Sequence, residues 1–494
     1  MNYWVFVIAR RDRTSPVSTI PDIALGNILC IKTGFPLSWK RHQERVMTQS
    51  YYDLVVIGGG PAGHSAAIRG AQLGAKVLLV EKDKLGGTCL NYGCIPTKFL
   101  WEAVNRIEKV RKSEIFGFSA DVLEGDFSSV QKKNWKNIEL LSKGLKGLVE
   151  SYGIQLVSGA AKFTGKNKIE IASAAGAPLP IEFSKAIIAC GSSPKELPNL
   201  KIDHSKVIDS TDILKLAEAP KSLLIVGGGA IGIEMATIFS SFGAEVWIVE
   251  KENQLLPGED AELSEEIKKN LVRSGVSVKT GTEFADDMRG KFEKILLVVG
   301  RKPNIDGLWL ERADVSYGKN GILVNEYLET SAEGIYAAGD INGNAYFAYT
   351  AASDGIMAAE NTMGSKNKAQ YASIPKVVFS NPVSASAGEI GEKMKDKVVT
   401  GKFPFSANSR AFVEGERTGW VKVSVNRETG EILSGQIIGA NADELISILS
   451  IIIRNKMKLE NLRRELFFHP GFSETLFCAI EDSMKKCVEL PKKQ

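Results

Sequence analysis

Two cysteines stand five positions apart in the run Leu85-Gly86-Gly87-Thr88-Cys89-Leu90-Asn91-Tyr92-Gly93-Cys94-Ile95-Pro96-Thr97-Lys98. Thiols so placed suit reversible disulfide chemistry or half of a metal site. A zinc site would want a second Cys/His pair at ligand spacing. The chain's four histidines and six cysteines are scattered, so no metal is expected. A helix-compatible run from Lys98 to Val110 puts Cys94 near a helix start, where a thiolate is stabilised. Gly93 allows the tight turn that brings the sulfurs to bonding distance. The spacing therefore predicts a redox-active disulfide. Far along the chain, His469 precedes Glu474 by five residues. A carboxylate at that distance can orient an imidazole, the side chain that exchanges protons near neutral pH.

Two glycine turns must position partners for this chemistry. The apolar strand Asp53 to Ile57 runs into Gly58-Gly59-Gly60-Pro61-Ala62-Gly63, then a small-residue helix (Ser65 to Leu73) and a strand from Lys76 ending at Glu81. The unit returns as strand Ser222 to Val226, Gly227-Gly228-Gly229-Ala230-Ile231-Gly232, a helix to Phe242, and strand Glu245 to Val249 ending at Glu250. In both copies, Gly63 to Glu81 and Gly232 to Glu250, the acid lies 18 residues beyond the last glycine. Strand, glycine turn, helix and acid together are the dinucleotide fingerprint. Gly58, Gly60 and Gly63, like Gly227, Gly229 and Gly232, let the backbone approach a pyrophosphate, and the acid accepts from ribose hydroxyls. Two modules imply that electrons pass from one dinucleotide to another.

A chain of 494 residues is too long for one core, and two to four domains are expected. The net charge of +4 gives no support to nucleic-acid binding. Six cysteines do not make a secreted disulfide framework. No apolar run reaches the roughly 20 residues of a membrane span. Residues 1–46 read as an extension from an upstream start, with Met47 the working start; an Arg-rich mitochondrial transit peptide is the alternative.

The cysteine stretch resembles the active-site signature of the pyridine nucleotide–disulfide oxidoreductases, most closely that of the dihydrolipoamide dehydrogenases, and the similarity recurs from about Tyr51 to the C-terminus. The resemblance implies an α/β fold with two Rossmann-like dinucleotide-binding domains and a C-terminal α+β dimerisation domain. The expected boundaries are 51–194 for FAD, 195–318 for NAD, 319–372 for a central segment completing the FAD site, and 373–490 for the dimer interface. FAD falls to the first module and NAD to the second. Glu250 stands where the 2′ position of the adenosine ribose is read, and a carboxylate there repels a 2′-phosphate. NAD is expected over NADP, which argues against glutathione reductase.

The same resemblance assigns single residues. Gly334-Ile335-Tyr336-Ala337-Ala338-Gly339-Asp340 is similar to a second FAD fingerprint, with Asp340 on a ribityl hydroxyl. Tyr346 and Ala348 fall where the flavin's pyrimidine edge is lined, Gly191 closes over FAD, and Ala161 offers a backbone contact. Ile295 to Gly300, with Arg301-Lys302-Pro303-Asn304, resembles the return strand and nucleotide-side turn of the NAD domain. Lys98 and Glu234 form an expected ion pair beside the flavin. His469 is the expected base, held by Glu474 and reaching the partner subunit's cysteines across a homodimer.

Several positions depart from the family pattern. Cys190 replaces a usual threonine and is read as a buried structural cysteine. Tyr349-Thr350 replaces a usual His-Lys. The connection Thr280 to Glu293 is short where a β-meander is usual, which puts the compactness of this domain in question. Cys478 and Cys487 are nine apart, not the vicinal pair of a mercuric reductase. The expected reaction is dihydrolipoamide with NAD⁺ to lipoamide and NADH, the dithiol exchanging with Cys89 and Cys94 facing the flavin. A mycothiol-type disulfide reductase, a diaphorase and a non-catalytic flavoprotein module are the alternatives. Expected partners are lipoyl groups of a 2-oxoacid dehydrogenase or glycine-cleavage complex, with no nucleic acid. The expected location is the cytoplasm, or the mitochondrial matrix if residues 1–46 are a transit peptide.

Overall fold

The strand Tyr51–Ile57 lies inside a seven-stranded sheet, parallel to Val77–Glu81 on one side and Leu179–Ile188 on the other. Residues Leu54 to Ile57 are all buried. A parallel strand covered on both faces loses the alternation of a half-exposed one, which explains the continuous apolar run. This computed structural model describes residues 51–118, 126–172 and 177–491, less the side chain of Lys393. The extension expected over 1–46 lies outside the described residues. Gln155–Ser158 adds a parallel edge beside Val77–Glu81. The ten-residue strand Leu179–Ile188 divides its far side: its first half pairs antiparallel with Lys168–Ala172, and its end pairs in parallel with Ile335–Ala337. That last pairing carries a distant segment back into the first sheet.

The second sheet has five parallel strands, ordered Ser277–Lys279, Glu245–Val249, Ser222–Val226, Lys294–Leu297 and Val207–Ile208. Helices Ala230–Ser241 and Ala261–Arg273 provide crossovers. The short connection that raised a question about compactness holds a single 3₁₀ turn, Asp286–Met288. Phe284 and Phe292, which flank it, are both buried against Leu224, Val226 and Ile295. Two aromatic side chains thus close the core over the shortened loop.

The third sheet is antiparallel, ordered Lys376–Val378, Ser384–Gly388, Ile432–Ile438, Trp420–Asn426 and Val398–Pro404. The strand Ser384–Gly388 escapes a sequence reading because Ser-Ala-Ser-Ala-Gly has no β-branched or aromatic residue. The run from Ala442 to Asn455 reads as a helix apolar on most sides, and the structure forms it over Ala442–Arg454. One face buries Leu445, Ile446, Leu449 and Ile452, while Ile448 and Ile451 remain exposed. This sheet is tied to the second module by Lys422, whose Nζ lies 2.6 Å from Asp260 and 3.0 Å from Glu262, and by Lys376, 2.8 Å from Glu259. Among the described residues, no helix is long and apolar enough to cross a membrane.

Candidate active site

The six fingerprint glycines divide into two kinds. At Gly58 (φ +105°) a Cβ would fall 2.3 Å from Ala189 O, and at Gly63 one would fall 1.7 Å from Gly58 O. The second module repeats this: Gly227 (φ +118°) would meet Val298 O at 2.5 Å, and Gly232 would meet Gly227 O at 2.1 Å. These four residues have no room for a side chain. The middle glycines are open instead. A Cβ on Gly60 meets nothing closer than Gly87 Cα at 4.0 Å, and one on Gly229 meets nothing within 4 Å.

Gly60 and Gly229 are the N-caps of Pro61–Gln72 and Ala230–Ser241, and neither helix start has a side-chain cap. Two other long helices are capped by side chains: Asp126 accepts from Ser128 N and Ser129 N, and Asp260 from Glu262 N and Leu263 N. Two uncapped helix starts over open glycines leave amides for an anion. The residues fit the pyrophosphates of two dinucleotides.

Glu81 and Glu250 each have a further role. Glu81 Oε2 accepts from Gly59 N at 2.6 Å and Oε1 from Asp83 N at 2.7 Å. Glu250 Oε2 accepts from Gly228 N at 2.7 Å and Oε1 from Glu252 N at 2.8 Å. Each carboxylate braces its own glycine turn. A carboxylate has about four acceptor positions, so capacity for a ribose remains.

Cys89 lies in the short helix Gly87–Tyr92, and Cys94 is the first residue of Cys94–Arg111. The helix begins four residues earlier than the sequence run suggests, with Pro96 in its first turn, where the missing N–H costs nothing. The Cys89 thiol donates to Cys94 Sγ. That bond is the largest cause holding the Cys94 pKa down at about 7; burial opposes it and the Lys98 ammonium adds to it. Cys89 is pushed up by the same bond. The two thiols are therefore unequal, with Cys94 the one that ionises.

Lys98 lies one helical turn beyond Cys94, and its Nζ meets Glu234 Oε1 at 2.9 Å and Oε2 at 3.0 Å. Glu234 is 6% exposed and also accepts from Phe379 N at 3.2 Å. Lys98 Nζ lies 4.4 Å from the Phe379 ring centroid. One ion pair thus joins the cysteine helix, the second module's first helix and the edge strand of the third sheet.

Asp340 follows the strand Ile335–Ala337, in the 3₁₀ turn Gly339–Asn342. Ser192 Oγ donates to Asp340 Oδ2 at 2.5 Å. Arg301 Nε donates to Ser192 Oγ at 2.7 Å, and Arg301 Nη2 to Ser192 O at 2.6 Å. Burial raises the Asp340 pKa, against the pull of Ser192 and Arg301. Arg301, in the segment that resembles a nucleotide-side turn, lies in Arg301–Pro303, which pairs antiparallel with Ser192–Pro194 and turns its guanidinium to Ser192. Ser192 closes the segment Ile187 to Ser192 that resembles a strand and turn over FAD, without a role of its own in the sequence, and Asp354 has no sequence signal. Asp354 accepts from Gly339 N at 3.3 Å and from Tyr371 OH at 3.1 Å, and burial pushes its carboxyl up to about 6. Only the long-range pairing reveals either contact.

Gly191 (φ +66°) and Gly300 (φ +111°) end corresponding strands, and neither position is crowded. Ala161 is buried in Ala160–Gly165, two residues after Gly159, whose N–H donates to Glu81 O. Tyr346 is 40% exposed, and Ala348 opens the uncapped helix Ala348–Thr362. Cys190 donates to Ile57 O at 3.5 Å, and burial pushes its thiol up to about 12. His469 Nδ1 lies 2.9 Å from Glu474 Oε1, and Gly471 N donates to Glu474 Oε2 at 2.9 Å. The His469 side chain is 68% exposed, and its recorded partner in its own chain is Glu474, not the cysteines.

A pair of unequal thiols at a helix start, beside two dinucleotide cradles, defines a flavin-linked disulfide oxidoreductase. The pyridine nucleotide-disulphide oxidoreductase family matches residues 52–361, and its dimerisation domain matches residues 374–479. The chain belongs to this family, whose cofactors are FAD and NAD, and the dimerisation domain supports a homodimer. Among curated relatives, the dihydrolipoyl dehydrogenase of Geobacillus stearothermophilus is 38% identical over 450 residues, 87% of this chain and 95% of the relative. The mitochondrial dihydrolipoyl dehydrogenase of Pisum sativum is 35% identical over 449 residues, covering 86% and 90%. Among solved structures, LpdA from Mycobacterium tuberculosis superposes with a TM-score of 0.80 at 25% identity, over 87% of this chain and 99% of that one. The HOCl-induced flavoprotein disulfide reductase RclA from Escherichia coli, as its Cu(II) complex, gives 0.78 at 26% identity, covering 87% and 99%.

Proposed function

We propose that this chain oxidises dihydrolipoamide to lipoamide with NAD⁺, acting as the shared dehydrogenase of a lipoyl-bearing complex. The inequality of the two thiols carries the reading. A dithiol substrate needs one enzyme sulfur to form a mixed disulfide and another to be released as a stable thiolate. Cys89, whose thiol resists ionisation, takes the first part; Cys94, ionised above about pH 7, takes the second. His469, oriented through Nδ1 by Glu474, presents Nε2 to accept the substrate's proton. Its outward exposure suits a base shared between subunits, each serving the other's cysteines. Bound FAD and NAD⁺ supply the two-electron transfer, the first cradled at Gly58, Gly60 and Gly63 and the second at Gly227, Gly229 and Gly232. Lys98, Gly191, Ala161, Asp340, Tyr346 and Ala348 line the flavin side in this proposal; Glu250 and Gly300 line the nicotinamide nucleotide. A pair that must return to the dithiol in each cycle belongs in a reducing compartment such as the cytoplasm.

The test is a side-by-side assay of NAD⁺ reduction by dihydrolipoamide and of disulfide reduction by NADPH. We expect the first reaction to dominate and Cys94→Ser to abolish it, while His469→Gln lowers kcat/KM by about 10²–10⁴. Preference for NADPH would favour a low-molecular-weight disulfide reductase. Full dihydrolipoamide activity in Cys94→Ser would sink the proposal.

A further inference from the structure

A second pair of thiols lies outside this site. After the helix Glu474–Asp482 the chain reverses: Met484 N and Lys486 N donate back to Glu481 O at 3.1 and 3.0 Å, and Lys485 takes φ +58°. The reversal returns Cys487 to the core that holds Cys478, where the two thiols are neighbours. Cys478 is 6% exposed in the core beneath the third sheet, and Cys487 packs on that core from a more open position. Nine positions of sequence separate the two, so spacing alone suggested no pair.

We propose that Cys478 and Cys487 are a second, reversible disulfide site, oxidised by low-molecular-weight disulfides and reduced by dithiols. Cys487, the more accessible, gives its proton to solvent and attacks one sulfur of the small disulfide. That S–S bond breaks and one small thiolate leaves. The Cys478 thiolate then attacks Cys487 Sγ, forming the intrachain bond and releasing the second small thiolate. Two protein thiols lose two electrons in all, one external disulfide gains them, and the two protons go to the leaving thiolates. Burial raises both thiols, so this exchange is slow beside that of Cys94. Cys478 lies one helical turn beyond Glu474, so the bond fastens the C-terminal segment to the helix that holds His469.

The test incubates the FAD-loaded full-length protein with excess oxidised glutathione, alkylates remaining thiols in denaturant, and digests with trypsin without reductant. Lys485 and Lys486 lie between the two cysteines, so the bond joins two separate peptides. We expect that joined species to become the main form of both peptides and to disappear with dithiothreitol. Cys478→Ala should stop at a glutathione adduct on Cys487, and Cys487→Ala should lower modification of Cys478 at least tenfold. Recovery of both cysteines as alkylated thiols, under conditions that fully oxidise Cys89 and Cys94, overturns the proposal. So does pairing of either with another cysteine. The wild-type digest carries the result even if a variant fails to fold.

Discussion

The two dinucleotide modules share a turn and differ in what surrounds it. In both, the first and third glycines are crowded by backbone, the middle one is open, and a strand-end glutamate braces the loop. The second module stops there, with five parallel strands and a first helix buried from Gly232 to Phe239. The first module recruits more: antiparallel strands, the distant Ile335–Ala337, and the cysteine segment directly after Glu81. Gly87 of that segment passes close to Gly60, so that a Cβ added at Gly87 would fall 2.7 Å from Gly60 Cα. One cradle is therefore a plain nucleotide seat. The other is built into the redox site, so the cysteines cannot shift without disturbing the turn. Lys98–Glu234 joins the cysteine helix to the first helix of the second module.

The comparison can be broken most strongly at a crowded glycine. Gly63→Ala places a methyl 1.7 Å from Gly58 O. We expect a loss of at least about 3 kcal/mol, read by denaturant unfolding, and protein that purifies without flavin. Wild-type flavin content in this variant would show the turn to be less constrained than its geometry requires.

The open glycines separate the modules. Gly60 and Gly229 have φ of −67° and −78°, which alanine tolerates. Gly60→Ala should keep the fold and weaken FAD by about 10–100-fold, as expected for losing a hydrogen bond to a charged group. Gly229→Ala should weaken NAD⁺ by a similar factor and leave FAD in place. Flavin reconstitution and NADH titration measure the two, and loss of both cofactors in either variant would refute independent seats.

The bridge predicts a pH effect. The Cys94 pKa is lowered, so its thiolate is present above about pH 7 and is lost as pH falls through that value. Alkylation of the reduced enzyme at Cys94 should follow this midpoint. Lys98→Met removes a stabilising charge and should move the midpoint upward, toward the ordinary thiol value of about 8.5. An unchanged midpoint would detach Lys98 from the thiol. The smallest effect is expected at Glu250. Glu250→Gln keeps the size of the side chain and one of its two backbone bonds and removes the charge that repels a 2′-phosphate, so the NAD⁺ to NADP⁺ preference should fall by about tenfold, read as a ratio of kcat/KM.

Much of this site is local in the chain and could be read there. Cys89, Gly93 and Cys94 fall within one turn and one helix start, and each glycine fingerprint is a continuous strand–turn–helix. Local spacing sets local geometry, so the thiol pair and both cradles are visible without a fold. The roles of Ser192 and Arg301 were not legible because they act across a pairing between distant segments, and that of Asp354 because its partners Gly339 and Tyr371 reach it only through the fold. Arg301 follows the last strand of the second module in sequence but bonds Ser192, beyond the long strand of the first sheet, through the Arg301–Pro303 and Ser192–Pro194 pairing.

The sequence by itself determined which atoms can do chemistry: two thiols, two anion-binding turns and a histidine beside a carboxylate. Only the tertiary structure decided how they are ranked and joined. It ranked Cys94 as the more acidic thiol, tied Arg301 to Asp340 through Ser192, and brought Cys487 to the core that holds Cys478. The physical reason is that pKa and hydrogen-bond partners depend on burial and on neighbours drawn from distant segments. Spacing along the chain fixes neither.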